Sequence, residues 1–152
     1  MAWSPGGDYI AVGHVSSPFV SVYPWSGGAF GSKVSDPATP PTGQGTGVAW
    51  SPDGAYIGVA HSTSPYISVY PWSGGTFGTQ ITLPSSDAAA TLSIFGMAWS
   101  PDGKFLAISG GSKPTAFVYH WSGSGLGQRV NWPFWPNGTA GNIVAWSPLL
   151  RA

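Results

Sequence analysis

The residues able to do chemistry in this chain are few, and most of them recur. His14 lies in VGHVSSP and His61 in VAHSTSP, at matching places of two nearly identical stretches. Two imidazoles repeated in this way could bind a metal or a small ligand, but a metal site wants three or more convergent donors, and no acidic residue keeps a constant spacing to either ring. The third version of the stretch carries Gly110 instead. The plainer expectation is that each His ends a strand and bonds the backbone of the turn that follows. Asp53 and Asp102 also recur, both inside Ser-Pro-Asp-Gly, where a turn accounts for them. Asp8, Asp36 and Asp87 share no register, although Asp8 suits a rearranged Pro5-Gly6-Gly7-Asp8 turn. The chain has no Glu and no Cys, so paired carboxylates for acid/base work are not evident and a thiolate nucleophile is excluded. No enzyme activity, metal or cofactor is expected.

One cluster stands outside the recurring pattern. Trp132-Pro133-Phe134-Trp135 sets three large aromatics beside prolines, with no counterpart elsewhere in the chain. Such a cluster could stack on a sugar ring or anchor a partner protein. It could equally cover a sheet edge or plug a subunit interface, and the sequence leaves both readings open. Asn137-Gly138-Thr139 fits a glycosylation acceptor, a triplet common by chance.

Composition narrows the partners. Five Lys/Arg balance five acidic residues and the pI is near 6.8, too little positive charge for a nucleic-acid binder. No segment approaches the roughly 20 apolar residues of a membrane helix, and MAWSPGGDY has neither the basic nor the apolar part of a signal peptide. Hydrophobic residues at 42%, with 14% aromatic, suffice to bury a core in a chain of 152 residues. Gly (23) and Pro (15) would suggest low complexity if scattered, but they fall at fixed offsets between apolar segments, as turn residues do.

Those offsets belong to a repeat. Trp3, Trp50, Trp99 and Trp146 are spaced by 47, 49 and 47 residues, and Trp25, Trp72 and Trp121 by 47 and 49. A period of this size means a repeat architecture. Each unit reads as four short strands rich in β-branched and aromatic residues; in the second they are expected at Thr46 to Ser51, Ala55 to Ala60, Tyr66 to Tyr70 and Thr76 to Ile81. Ser51-Pro52-Asp53-Gly54, Ser62-Thr63-Ser64-Pro65 and Trp72-Ser73-Gly74-Gly75 are short enough to join antiparallel neighbours. No stretch has the caps and length of a helix. Four antiparallel strands per unit describe one blade of a β-propeller. The blades are expected at about 2–45, 46–94 and 95–141, with one extra C-terminal strand at about 142–148. The repeated tryptophans are assigned to the core and to packing between blades.

The unit AWSPDGxxIxVxHxxSPxIxVYxWSG resembles WD40-like β-propeller blades, in particular the highly repetitive kind of bacterial and bacteriophage proteins. Where that family closes its third strand with Trp-Asp, this chain has Tyr23-Pro24, Tyr70-Pro71 and Tyr119-His120, so the family's buried Asp, His, Ser/Thr and Trp network is expected to be absent. The resemblance implies that the inter-unit loops and the loops between second and third strands share one face, the usual binding surface. His14, Ser16, Ser17, His61, Ser62, Thr63 and Trp132, Phe134 and Trp135 would lie there.

Two functions from different classes follow. The first is a self-assembling structural or interaction scaffold, part of a phage particle or another extracellular assembly. The second is a lectin-like propeller that binds carbohydrate. Three blades do not close a ring, so identical chains are expected to combine. Two chains giving six blades is the favoured count, and three chains would give nine. The alternative is a fragment of a longer propeller with its partner blades covalently attached. In the assembled ring the strand Asn142-Ile143-Val144-Ala145-Trp146 is expected to latch beside Tyr9 to Gly13 of the neighbouring copy. A glycan or a protein is the expected outside partner, with no nucleic acid and no membrane.

Overall fold

The computed structural model describes residues 1–81, 94–111, 116–130 and Trp146. Among these, twelve strands form three four-stranded antiparallel sheets and there is no helix. Blade 1 contains β1 (Ala2–Trp3), β2 (Tyr9–Gly13), β3 (Val20–Ser26) and β4 (Ala29–Phe30), paired in chain order. Blade 2 contains β5 (Gly45–Trp50), β6 (Tyr56–His61), β7 (Ile67–Ser73) and β8 (Thr76–Phe77). Blade 3 contains β9 (Ile94–Trp99), β10 (Phe105–Gly110), β11 (Ala116–Trp121) and β12 (Leu126–Arg129).

The hairpins follow from the turn residues. In Ser51-Pro52-Asp53-Gly54, Ser51 Oγ donates to Asp53 Oδ1 at 2.5 Å and accepts the Tyr56 N–H at 2.9 Å, while Gly54 takes φ +71°. Ser100, Asp102, Phe105 and Gly103 repeat these contacts one unit later. Only a residue without Cβ adopts that φ at no steric cost. The next turn is closed differently. Ser17-Pro18 and Ser64-Pro65 are cis, and Phe19 and Tyr66 sit at φ 68° and 67°.

The fourth strand departs from expectation in an informative way. In blade 2 it spans Thr76–Phe77 only, and the ladder resumes as a single bridge between Val69 and Ile81. Pro71 explains the gap: its carbonyl accepts the Gly78 N–H at 2.8 Å, but it has no N–H to return. Pro24 has the same effect in blade 1, where β4 is again two residues. His120 replaces the proline in blade 3, and β12 there runs for four residues.

Successive blades meet along their first strands, with β5 beside β9 and β1 and β2 beside β5. Glycine makes that approach close enough. A Cβ on Gly45 would stand 2.2 Å from the Phe19 carbonyl oxygen and 3.0 Å from Gly13 Cα. A Cβ on Gly47 would stand 3.1 Å from Gly96 Cα. Two apolar clusters fill the spaces between blades, Val20, Val22, Ile57, Val59 and Tyr70 on one side of blade 2, Val69, Ile94, Leu106 and Ile108 on the other. Tyr70 is fully buried and donates to the Thr39 carbonyl at 2.8 Å, pinning the inter-blade loop, and burial pushes its hydroxyl pKa up to about 12.

Because backbone atoms, not flexible side-chain ends, face the missing Cβ, Gly45→Ala is expected to destabilise the fold by roughly 1–3 kcal/mol. Urea unfolding checks this: the midpoint should fall with an unchanged m-value, whereas Gly74→Ala, which points into open space at φ +57°, should cost less.

Candidate functional site

The joint between blades is built from aromatic residues at fixed places in each unit. In blade 2, Trp50 ends the first strand and Trp72 lies near the end of the third, with ring centroids 5.2 Å apart and nearly perpendicular. Phe77 of β8 meets Trp72 edge-on at 5.1 Å. Tyr9, the first residue of β2 in the preceding blade, comes over both tryptophans, 5.2 Å from Trp72 and 6.4 Å from Trp50. Trp50 Nε1 donates back to the Ala2 carbonyl at 3.2 Å. The next joint repeats the rings: Trp99 meets Trp121 at 5.6 Å and Tyr56 covers Trp121 at 5.0 Å. The Tyr56 hydroxyl donates to the Gly123 carbonyl, a contact from blade 2 to blade 3. Perpendicular aromatic pairs add about 0.5–1.5 kcal/mol beyond the area they bury. The hydrogen bond does not repeat at Trp99, whose buried Nε1 has no partner.

The two ends of the array present the unfinished halves of this joint. On blade 1, Trp3, Trp25 and Phe30 form the same edge-on set, at 5.3 and 4.9 Å. Tyr23 meets Phe30 at 5.9 Å as Tyr70 meets Phe77 in blade 2, but among the described residues no tyrosine lies over Trp3 and Trp25 as Tyr9 lies over Trp50 and Trp72. Trp3 is 50% exposed, against 8% for Trp50 and 6% for Trp99, and Phe30 is 61% exposed. On blade 3, Phe105 holds the place of Tyr9 and Tyr56, and Trp146 lies against it at 6.4 Å, stacked within 29°. Trp146 Nε1 donates to the Ala98 carbonyl at 3.0 Å. Of the expected latch, Trp146 alone is described; Asn142, Ile143, Val144 and Ala145 lie outside the described residues, as do Trp132, Phe134 and Trp135.

Both histidines close strand ends. His14 N–H donates to the Phe19 carbonyl at 3.0 Å and its Nε2 lies 3.0 Å from Ser21 Oγ. His61 N–H donates to the Tyr66 carbonyl at 2.8 Å and its Nε2 lies 3.1 Å from Ser68 Oγ, which Gln80 also bonds. His61 is wholly buried and so braces the hairpin, without offering its ring to a partner at the surface; His14 is half-buried. Burial pushes the His61 pKa down to about 4, a shift that the nearby Thr63 and Ile67 backbone partly offsets. Among the described residues no three His, Cys, Asp or Glu gather as a metal site would need.

A cleft of about 710 Å³ opens between blades 2 and 3 at the end carrying the Ser-Pro-Asp-Gly turns, lined by Asp53, Tyr56, Asp102, Trp121 and Ser122 among others. Burial alone would raise Asp53, but bonds from Ser51 Oγ and the Ala55 N–H outweigh it and hold the carboxyl below its usual 3.8. For Asp102 the Ser100 hydroxyl and the Lys104 N–H do the same. Both are therefore carboxylates at neutral pH. The sequence reading assigned each Asp to its turn and missed that two turns and a Trp-Ser-Gly corner from adjacent blades form one cleft. It also missed the covering role of Tyr9, Tyr56 and Phe105. The signal for the latter was present, an aromatic at the same place after every first turn.

Comparison with known proteins agrees with this architecture. Residues 82–120 match the family model described as WD40, the WD domain, G-beta repeat. No curated protein sequence matches the chain. Among solved structures it resembles a chain titled Kuenenia stuttgartiensis hydrazine synthase, with TM-score 0.65 and 18% identity over 93% of this chain and 36% of that one. A chain from the crystal structure of the mitotic checkpoint complex gives TM-score 0.65 and 19% identity, over 93% and 40%. The chain thus spans well under half the length of these structures. At such identities the likeness shows the fold, an all-β propeller-blade array.

His61 yields a pH prediction. The unfolded chain takes up the imidazole proton near 6.5 and the folded chain only near 4, so between these values the unfolded state binds more protons. Stability should fall as pH drops through that window, by up to roughly 3 kcal/mol, and show no His61 effect above 6.5. Asp53 and Asp102 add their loss only below 3.8. Denaturant titrations of the parent and His61→Gln from pH 7 to 4 check this, the variant being expected to show a flatter profile.

Proposed function

We propose that this array of propeller blades is a protein-interaction scaffold that assembles with copies of itself. The observation that carries the reading is the uncovered aromatic set on blade 1. Trp3, Trp25 and Phe30 repeat the arrangement of Trp50, Trp72 and Phe77, whose two tryptophans Tyr9 covers within the chain. An exposed apolar face of this kind marks an interaction site. Propellers close at about 4 to 8 blades, so a ring needs more than the three described here. Two copies supply six, and closed symmetry leaves no outer face uncovered. The WD40 match over residues 82–120 supports a scaffold role, as does the scarcity of charge. A structural part in a phage particle or extracellular assembly is the finer form of this reading.

A second reading has an observation of its own. The cleft between blades 2 and 3 offers two carboxylates, a serine hydroxyl and the rings of Tyr56 and Trp121, a mixture able to hold a neutral sugar by its hydroxyls and one apolar face. A glycan array with the parent and Asp102→Asn distinguishes it. Binding lost in the variant favours carbohydrate recognition, and no binding removes that reading.

For the scaffold, light scattering after size exclusion should give two or three times 15.7 kDa. A mass of 15.7 kDa at every concentration up to the millimolar range would contradict self-assembly.

A further inference from the structure

The cleft between blades 2 and 3 carries more negative charge than its turns need. Ser4-Pro5-Gly6-Gly7 builds the first turn of blade 1 with Gly6 in the place that Asp53 and Asp102 hold in the later units. Ser4 Oγ still accepts the Tyr9 N–H at 3.0 Å, much as Ser51 accepts from Tyr56 and Ser100 from Phe105 at 2.9 Å, and Gly7 still takes φ +77°. The hairpin therefore closes without the aspartate. In the two units that have one, hydrogen bonds engage Oδ1, from a serine hydroxyl and a backbone N–H. Among the described residues, neither Oδ2 accepts a hydrogen bond.

No cation of the described chain answers these carboxylates within the cleft. The lining comes from residues 51–56, 101–103 and 121–123 and includes no Lys, Arg or His. Of the described basic residues, Lys33 pairs with Asp36, Arg129 lies over the Phe117 ring, and Lys104 attracts Asp102 without closing an ion pair. Tyr56 and Trp121 form the aromatic wall, edge-on at 5.0 Å, and each is only half-buried. The bond from the Tyr56 hydroxyl to the Gly123 carbonyl fixes that wall across the two blades. A flat cation suits such a lining: a guanidinium stacks on an aromatic face and donates in its own plane to carboxylate oxygens. A neutral sugar would use the rings and leave both charges unanswered.

We propose, resting on the protein-interaction half of the reading above, that this cleft receives an arginine side chain of a partner protein, its guanidinium against Trp121 and Tyr56 and its N–H groups toward Asp53 and Asp102. Charge complementarity selects the occupant, and the open, exposed setting of both carboxylates suits a side chain offered from another surface. The site lies at the end of the blades that carries the β5–β6 and β9–β10 turns, opposite the β2–β3 and β6–β7 turns that follow His14 and His61. It is thus a second binding surface, separate from the face that the family resemblance implies.

A heteronuclear NMR titration of the full chain with tetra-arginine amide at low ionic strength tests this, with tetraglutamate and the neutral N-acetylglucosamine tetramer as comparisons. Tetra-arginine should shift the Trp121 indole signal and the Gly54, Ala55, Gly103 and Lys104 amides, and tetraglutamate should not. Asp53→Asn and Asp102→Asn keep an oxygen for the turn bonds while losing the charge, and thermal melts confirm that each remains folded. Each should weaken binding about twofold to fivefold, the range for exposed ionic contacts, and the double variant should weaken it further. Asp36→Asn removes the same charge from the loop between blades 1 and 2 and should change nothing. A monomeric mass in light scattering would remove self-assembly and leave this site standing, so the two failures are distinguishable. Cleft signals that stay unmoved at high tetra-arginine would overturn the proposal, and so would equal weakening by Asp36→Asn, which would show attraction to net charge alone. Shifts produced by the sugar tetramer but not by tetra-arginine would overturn it too, and would give the cleft to carbohydrate.

Discussion

A propeller blade is a small twisted sheet with two broad apolar faces, and neither can be left to water over its whole area. Everything else in this structure depends on how one blade covers the next. The solution is an aromatic interlock in which the first residue of one blade's second strand lies over a perpendicular pair of tryptophans from the following blade. Tyr9 over Trp50 and Trp72 is its fullest form. Aliphatic residues such as Ile57 and Leu106 share the two buried clusters with these rings, and the rings, whose contacts are directional, fix the register in which blades meet. Glycines at 45, 47 and 58 then allow the backbones and the Trp99 ring to come as close as that register requires.

This explains the sparse use of charge. A chain with five basic and five acidic residues holds its shape through faces that must be matched by similar faces, and the turns, not ion pairs, set the hairpins. The exposed Lys33–Asp36 pair at 2.7 Å contributes little by comparison. The carboxylates that matter locally, Asp53 and Asp102, are held by a serine two residues before them and a backbone N–H two residues after.

The blade pattern was legible in the sequence because the tryptophan period and the Ser-Pro-Asp-Gly turns are local signals. Strand ends were less so. The short β4 and β8 follow from a proline whose missing N–H faces the fourth strand, and which edge of a strand faces its neighbour cannot be read before pairing is known. The histidines could be placed at strand ends, yet burial separated them: His61 lies inside and His14 near the surface, although their neighbouring residues are almost the same. Blade 1 is the end of the array and blade 2 has a neighbour on each side, a distinction that the local sequence does not carry. The cleft beside Asp53 and Asp102 was invisible for the same reason, since its walls come from segments about 50 to 70 residues apart.

The interlock is the claim on which the account rests, and a double-mutant cycle measures it directly. Tyr9→Leu and Trp72→Leu, alone and together, change the two partners of the 5.2 Å contact between blades while keeping apolar bulk. Urea unfolding of the four proteins should give a coupling free energy of about 0.5–1.5 kcal/mol favouring the native pair. Additive effects, with no coupling beyond error, would contradict the account and reduce the rings to filler between blades held together by aliphatic burial alone.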